Sequence, residues 1–158
     1  MPSSTLSYRF ELVQHGSPAY WQTVALRDEI LRRPLGLQFT PEQLAVEAMQ
    51  HHLACYSDEI TADLPQLLAC LILQKADIAG FIKMRQVAVT EIYQRQGVGA
   101  ALCQFAEQWA VEQGFAHIYC HARDTAAPFY KKLGYCIEGE PFSEVGIIHY
   151  KMSKTIRA

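Results

Sequence analysis

The 158-residue sequence predicts one α/β domain built on a mixed β-sheet. Three observations carry that expectation. Strand-like and helix-like segments alternate along the chain, capping signals punctuate the helices, and no internal repeat or linker divides it. Residues Leu6 to Gln14 alternate as a strand, and His15-Gly16-Ser17-Pro18 turns into a helix with Ser17 as N-cap and Pro18 at its first position. Tyr20, Val24, Ile30 and Leu31 recur at helical spacing until Arg33-Pro34-Leu35-Gly36 stops them. Thr40-Pro41-Glu42-Gln43 is a capping box that starts a short helix to about Met49. His52 to Tyr56, Leu67 to Gln74 and Ile78 to Thr90 read as strands. In the next helix, Val98, Ala101, Leu102, Phe105 and Trp109 line one face, with Gly114 as its C-terminal stop. Phe115 to Cys120 reads as a strand, Ala126 to Leu133 as a short helix closed by Gly134, and Tyr135 to Glu138 and Gly146 to Met152 as the last strands, with a loop over Glu140 to Gly146.

Composition narrows the function classes. Half the residues are hydrophobic and 19% are charged, which excludes a disordered tail. The formal net charge of −2 disfavours nucleic acid as partner, because a protein held by its overall field is basic. The longest apolar run, Leu67 to Leu73, is far short of the roughly 20 residues that cross a bilayer. Met1 to Phe10 lacks the apolar segment of a secretory signal, so the expectation is a soluble, cytoplasmic protein with no membrane partner.

Cysteine usage agrees with a reducing compartment. Cys55, Cys70, Cys103, Cys120 and Cys136 are odd in number and contain no C-x-x-C pair. The histidines do not join them at metal-ligand spacing, and adjacent His51 and His52 point to opposite faces of a strand; no metal is expected.

The stretch that carries chemistry is Val87-Ala88-Val89-Thr90-Glu91-Ile92-Tyr93-Gln94-Arg95-Gln96-Gly97-Val98-Gly99-Ala100. It runs from a strand through a glycine turn into the most regular helix. Glycines let backbone approach a ligand, and the first-turn N–H groups of a helix attract an anion such as a pyrophosphate. Arg95 adds positive charge there. The alternative is a helix that needs small residues to pack closely on the sheet. No Lys-Ser or Lys-Thr follows Gly99, so the turn is not a P-loop, and a third glycine of the dinucleotide fingerprint is missing.

The spacing Gln94-x-x-Gly97-x-Gly99-Ala100 resembles the principal Q/R-x-x-G-x-G/A motif of the GNAT superfamily of acetyl-CoA-dependent N-acetyltransferases. The preceding Met84-Arg85-Gln86-Val87-Ala88-Val89 is similar to that family's central strand. Ala126-Ala127-Pro128-Phe129-Tyr130-Lys131-Lys132-Leu133-Gly134-Tyr135 resembles its second motif, A-x-x-F-Y-x-x-L-G-F/Y. Glu144-Val145-Gly146-Ile147-Ile148-His149-Tyr150-Lys151-Met152 is similar to the closing strand of the ElaA-like branch, E-x-G-I-x-H-x-x-M.

The resemblance implies a single GNAT-like domain over residues 1–158, with helices on both faces of the sheet and splayed central strands. It implies that Val87, Ala88 and Val89 offer backbone groups to the acetyl-pantetheine arm, the Val89 N–H meeting the thioester carbonyl. Gln94, Arg95, Gln96, Gly97, Val98, Gly99 and Ala100 would hold the pyrophosphate. Tyr130 would give a proton to the leaving thiolate, since a phenol titrating near 10 is protonated at neutral pH; its alternative is aromatic packing beside Phe129. Arg123 stands where the second motif commonly begins with Asn, and it either contacts the cofactor or lies exposed.

The general base stays open among Glu91, His121, Glu144 and His149, each histidine also readable as a structural one. Supplying a neutral lysine-like amine at pH 7 costs roughly 4–5 kcal/mol, so a proton acceptor is needed. Arg27 sits oddly in an apolar stripe, either paired or snorkelling or, as a minority reading, at the acceptor. The leading expectation is acetyl transfer from acetyl-CoA to a primary amine, of a small molecule or a protein, by direct attack in a ternary complex. No cysteine lies in the cofactor motifs to serve an acyl-enzyme route. The runner-up is a non-catalytic acyl-CoA-binding or regulatory protein, and a nucleotide-binding module comes third. A homodimer is compatible with the resemblance.

Overall fold

The caps written in the sequence form as expected. In the computed structural model, which describes residues 7–59 and 65–157, the Ser17 side chain accepts from the Tyr20 N–H and opens helix α1, Pro18–Arg27. Thr40 and Gln43 cap reciprocally at the start of α2, Pro41–Val46. The strands are β1 (Tyr8–Val13), β2 (His51–Ser57), β3 (Leu67–Lys75), β4 (Phe81–Val89), β5 (His117–Arg123), β6 (Cys136–Glu144) and β7 (Ile147–Thr155), and the other helices are α3 (Val98–Glu112) and α4 (Ala127–Lys132). Leu6, expected to open the first strand, lies outside the described residues.

Hydrogen bonding orders the strands β1-β2-β3-β4-β5-β7-β6. The sheet is mixed: β4 and β5 run parallel, while β1–β2, β5–β7 and β6–β7 are antiparallel. The parallel register runs from Phe81↔His117 to Met84↔Cys120.

Two compact units can be distinguished. One comprises the chain through Ile72 with Gln86–Phe105, the other Leu73–Arg85 with the chain from Ala106. In the first, Val13, Tyr20, Ala54 and Tyr56 form one buried cluster and Leu26, Cys70 and Ala88 another. After Arg27 the helix widens into a π turn over Asp28–Arg32, where Ile30 and Leu31 pack against the second cluster. Phe10 stacks on Phe105 at 4.8 Å. In the second unit, Ile82, Met84, Ile118, Cys120, Ala122 and Met152 are buried, and Glu107 accepts from both Tyr135 Oη (2.9 Å) and Lys154 Nζ (2.8 Å).

Four expectations are corrected. Strand β4 begins at Phe81, not Ile78, because residues 77–80 make the turn that closes on the Ala76 N–H to Phe81 carbonyl bond. The deeply buried stripe of α3 is Val98, Leu102, Cys103, Ala106 and Ala110, whereas Ala101, Phe105 and Trp109 are only half-buried; the small side chains let the helix axis approach closely. Strand β5 starts at His117 and runs on to Arg123, since the Phe115 N–H still closes the helix on the Ala110 carbonyl. The loop expected over Glu140 to Gly146 is instead strand β6, up to Glu144, with a tight turn at Val145-Gly146. A register shift between Glu138 and Phe142 absorbs Gly139 and Pro141, and β6 ends the strand order, where a missing N–H on its open side is harmless. Among the described residues, no helix is long and apolar enough to cross a membrane.

Candidate active site

Strand β4 leads directly into the glycine turn. The Thr90 N–H donates to the Leu68 carbonyl on β3 at 2.9 Å. By strand alternation the N–H groups of Val89 and Val87 therefore point away from β3. Val87 and Val89 are half-buried, while the Ala88 methyl is fixed in the Leu26–Cys70 cluster. A short helical turn, Glu91–Tyr93, follows and ends in a backbone reversal. There the Gln94 amide donates to the Val89 carbonyl (3.0 Å) and the Gln96 amide to the Ile92 carbonyl (2.8 Å). Both glutamine side chains thus brace the turn itself. Arg95 is exposed and left-handed at φ 64°, and Gly97 follows at φ 83°. The first intrahelical bond of α3 is Ala101 N–H to Gly97 carbonyl, so the amides of Val98, Gly99 and Ala100 have no acceptor within the helix.

A Cβ on residue 97 would meet nothing within 4 Å, so the glycine is required by conformation and not by space. Gly97→Ala should therefore cost about 1–2 kcal/mol through backbone strain alone. The expected readout is a melting temperature lower by roughly 2–8 °C.

A second constellation lies on β4, β5, β6 and β7. Glu144 Oε1 is 3.5 Å from His121 Nδ1, and Glu144 Oε2 is 3.7 Å from His149 Nε2. Lys83 Nζ lies 3.3 Å from the same His121 nitrogen. The His149 ring donates through Nδ1 to the Ile147 carbonyl (2.8 Å), which sets its tautomer when neutral. Phe142 meets the His121 ring edge-on at 4.9 Å and stacks with His149 at 5.9 Å. Burial, then the Lys83 charge, lowers His121 below the ordinary histidine range, while Glu144 pulls the other way. Burial likewise lowers Lys83. Three of the four groups weighed as a base thus converge; exposed Glu91 belongs to the other unit. Sequence alone does not single out Lys83; its signal there is a charged residue between apolar Ile82 and Met84 in a strand.

Tyr130, on α4, is buried, with its ring edge-on to Phe129 (5.0 Å) and Tyr135 (5.6 Å). Arg123 closes β5, half-buried, in register with His149. Arg27 is paired: it is fully buried against Glu47, with which it makes two bonds of 2.8 Å, and against the Gln86 side-chain oxygen at 2.7 Å. Burial pushes the thiols of Cys55, Cys70 and Cys120 up to about 12, which keeps them protonated and non-nucleophilic at neutral pH. Among the described residues, no group of three or more His, Cys, Asp or Glu could hold a metal ion.

Residues 37–156 match the profile of a protein family described as "Acetyltransferase (GNAT) domain". The chain belongs to the GNAT family. It is 38% identical over 80 residues to the uncharacterised N-acetyltransferase YitI of Bacillus subtilis, covering 50% of this chain and 54% of YitI. The chain spans about half the length of the curated relatives it matches. Solved structures share the GNAT fold over almost the whole chain. An acyl-CoA N-acyltransferase from Pseudomonas aeruginosa superposes with TM-score 0.73 at 22% identity, over 96% of this chain and 100% of that one. Escherichia coli ElaA superposes with TM-score 0.74 at 16% identity, over 94% and 99%. An aminoglycoside 6'-N-acetyltransferase complexed with coenzyme A gives 0.71 at 15%, over 95% and 98%. At these identities the likeness establishes the fold.

Proposed function

We propose that this GNAT chain transfers an acetyl group from acetyl-CoA to a primary amine by direct attack in a ternary complex. The observation that carries the reading is the turn from β4 into α3, where left-handed Gly97 delivers three first-turn amides without intrahelical acceptors next to exposed Arg95. That donor set fits a diphosphate: main-chain N–H groups at the positive end of a 15-residue helix, joined by one exposed cation. Gln94 and Gln96 serve by bracing the turn, and the Ala88 backbone continues the strand edge on which Val87 and Val89 present their amides.

Acetyl-CoA supplies the thioester acetyl group. The Val89 N–H is assigned to its carbonyl oxygen, a contact that strengthens as charge develops there. Tyr130 is assigned the proton that the departing CoA sulfur needs, and Arg123 a contact with the phosphates or the pantetheine arm. His121, neutral at pH 7 because burial and Lys83 disfavour its cation, is assigned the amine's proton, with Glu144 and His149 beside it to spread the resulting charge. The resemblance of the Glu144 to Met152 segment, which runs from the end of β6 through the turn into β7, supports placing the chain in the ElaA-like branch.

Amine-dependent release of CoA thiol, measured across a panel of primary amines, tests the reading. Uptake of CoA with no such release for any amine would make the chain a binding protein. His121 also gives a pH signature. Its folded value lies below the ordinary 6.5, so kcat/KM should hold as pH falls to about 6.5 and decline only below it. In His121→Asn the acid limb should disappear along with most of the rate. An unchanged profile in that variant assigns the proton elsewhere.

A further inference from the structure

Three non-glycine residues among those described have positive φ, and Gln86 alone of them lies inside a strand. Its φ of 52° interrupts β4 two residues after the last parallel pair with β5, Met84↔Cys120. Such a conformation in an L-residue persists only where its surroundings hold it, and it re-aims the residues that follow. The holder is visible. Gln86 Oε1 accepts from Arg27 Nη1 at 2.7 Å. Arg27 is itself anchored: the same Nη1 donates to Glu47 Oε2, Nη2 donates to Glu47 Oε1, and Tyr20 Oη donates to that second oxygen at 2.7 Å. The Phe39 ring lies 5.1 Å from the guanidinium carbon. A planar fork engaged on these contacts cannot turn to follow Gln86, so Gln86 must come to it. Stability alone does not call for a fully buried arginine, since apolar residues of similar volume fill such a site as well or better.

We propose that Arg27 and Gln86 form a clamp that holds the left-handed step in β4 and so sets the direction of the Val89 main-chain amide toward the acyl thioester. Both are positioning residues acting through the backbone, and the inference rests on the acetyl-CoA reading above. The clamp ties α1, through Arg27, and the segment after α2, through Glu47, to the strand edge. It therefore predicts discrimination between acetyl-CoA and CoA, which differ only in the acetyl group whose carbonyl the Val89 N–H would meet.

The test is calorimetric titration of acetyl-CoA and of CoA into wild type, Gln86→Leu and Gln86→Glu. Gln86→Leu keeps the Arg27–Glu47 pair and removes the clamp oxygen, while Gln86→Glu restores an oxygen within reach of Arg27 Nη1. The Kd of acetyl-CoA should rise roughly three- to tenfold in Gln86→Leu, the worth of one hydrogen bond, while that of CoA stays within about twofold. Gln86→Glu should keep the wild-type ratio of the two constants. If Gln86→Leu does not fold, Gln86→Ala is read the same way. An unchanged ratio, or an equal loss for both ligands, overturns the clamp and leaves the acetyl-CoA reading standing. Wild type that takes up neither ligand overturns that reading and the clamp with it.

Discussion

Glu47→Ala is expected to lower the melting temperature by roughly 6–20 °C. Glu47 is 3% exposed and holds the fully buried Arg27 by two bonds, with Tyr20 as a third donor to the same carboxylate. Removing one partner of a buried pair costs about 3–5 kcal/mol, because the charge left behind has lost its compensation. A chain of this size loses about 2–4 °C per kcal/mol. Replacing both partners, Arg27→Met with Glu47→Leu, should recover most of the loss, and a double as unstable as the single would sink the argument.

The pair also has an acid signature. Burial alone would raise the Glu47 carboxyl, but hydrogen bonds from Arg27 and Tyr20 outweigh it and leave it below the ordinary 4.5. A carboxyl lowered by folding contributes stability that is complete above its unfolded value and is lost as pH falls through the folded one. Thermal melts between pH 7 and 3 should show wild type losing this contribution below about pH 4.5, while Glu47→Ala has none of it to lose. Burial, and then the same carboxylate, push the Tyr20 phenol up to about 12, so Tyr20 stays a donor across the physiological range.

Tyr130→Phe should cut kcat by about a hundredfold while the KM for acetyl-CoA moves by less than about twofold, as followed by thiol release. The ring packing against Phe129 and Tyr135 survives the substitution, so the variant removes the hydroxyl and little else. A fall in kcat alone marks a group that acts in the transition state. Unaltered turnover would leave Tyr130 a packing residue, and a matching rise in KM would make it a binding one.

What could be read without the structure was what neighbouring residues impose on one another. Ser17 with Pro18, and Thr40 with Gln43, start helices because a side-chain oxygen reaches an N–H three residues on. The turn at Gly97 is legible for the same reason, since a left-handed residue before an amphipathic helix leaves its mark in the sequence as glycine. The length of β6 was not legible. Gly139 and Pro141 are local breakers, and only pairing with β7 across a register shift carries the strand past them.

The candidate site divides along the same line. The glycine turn proposed to hold an anion is legible in residues 94–100, yet the side chains of Gln94 and Gln96 bond back to the Val89 and Ile92 carbonyls. His121, Glu144 and His149 could each be suspected, but their convergence, with Lys83 added, depends on the register of β5, β6 and β7.

Gln86 is the clearest case of the tertiary share. Nothing beside it in the chain calls for a left-handed glutamine; the cause is Arg27, 59 residues away and anchored by Glu47, 20 residues from that arginine. Capping, turns and helical spacing follow from chemistry within a few residues. The left-handed step of β4 and the His121–Glu144–His149 cluster arise only when burial brings distant polar groups together and leaves them little water to bond instead.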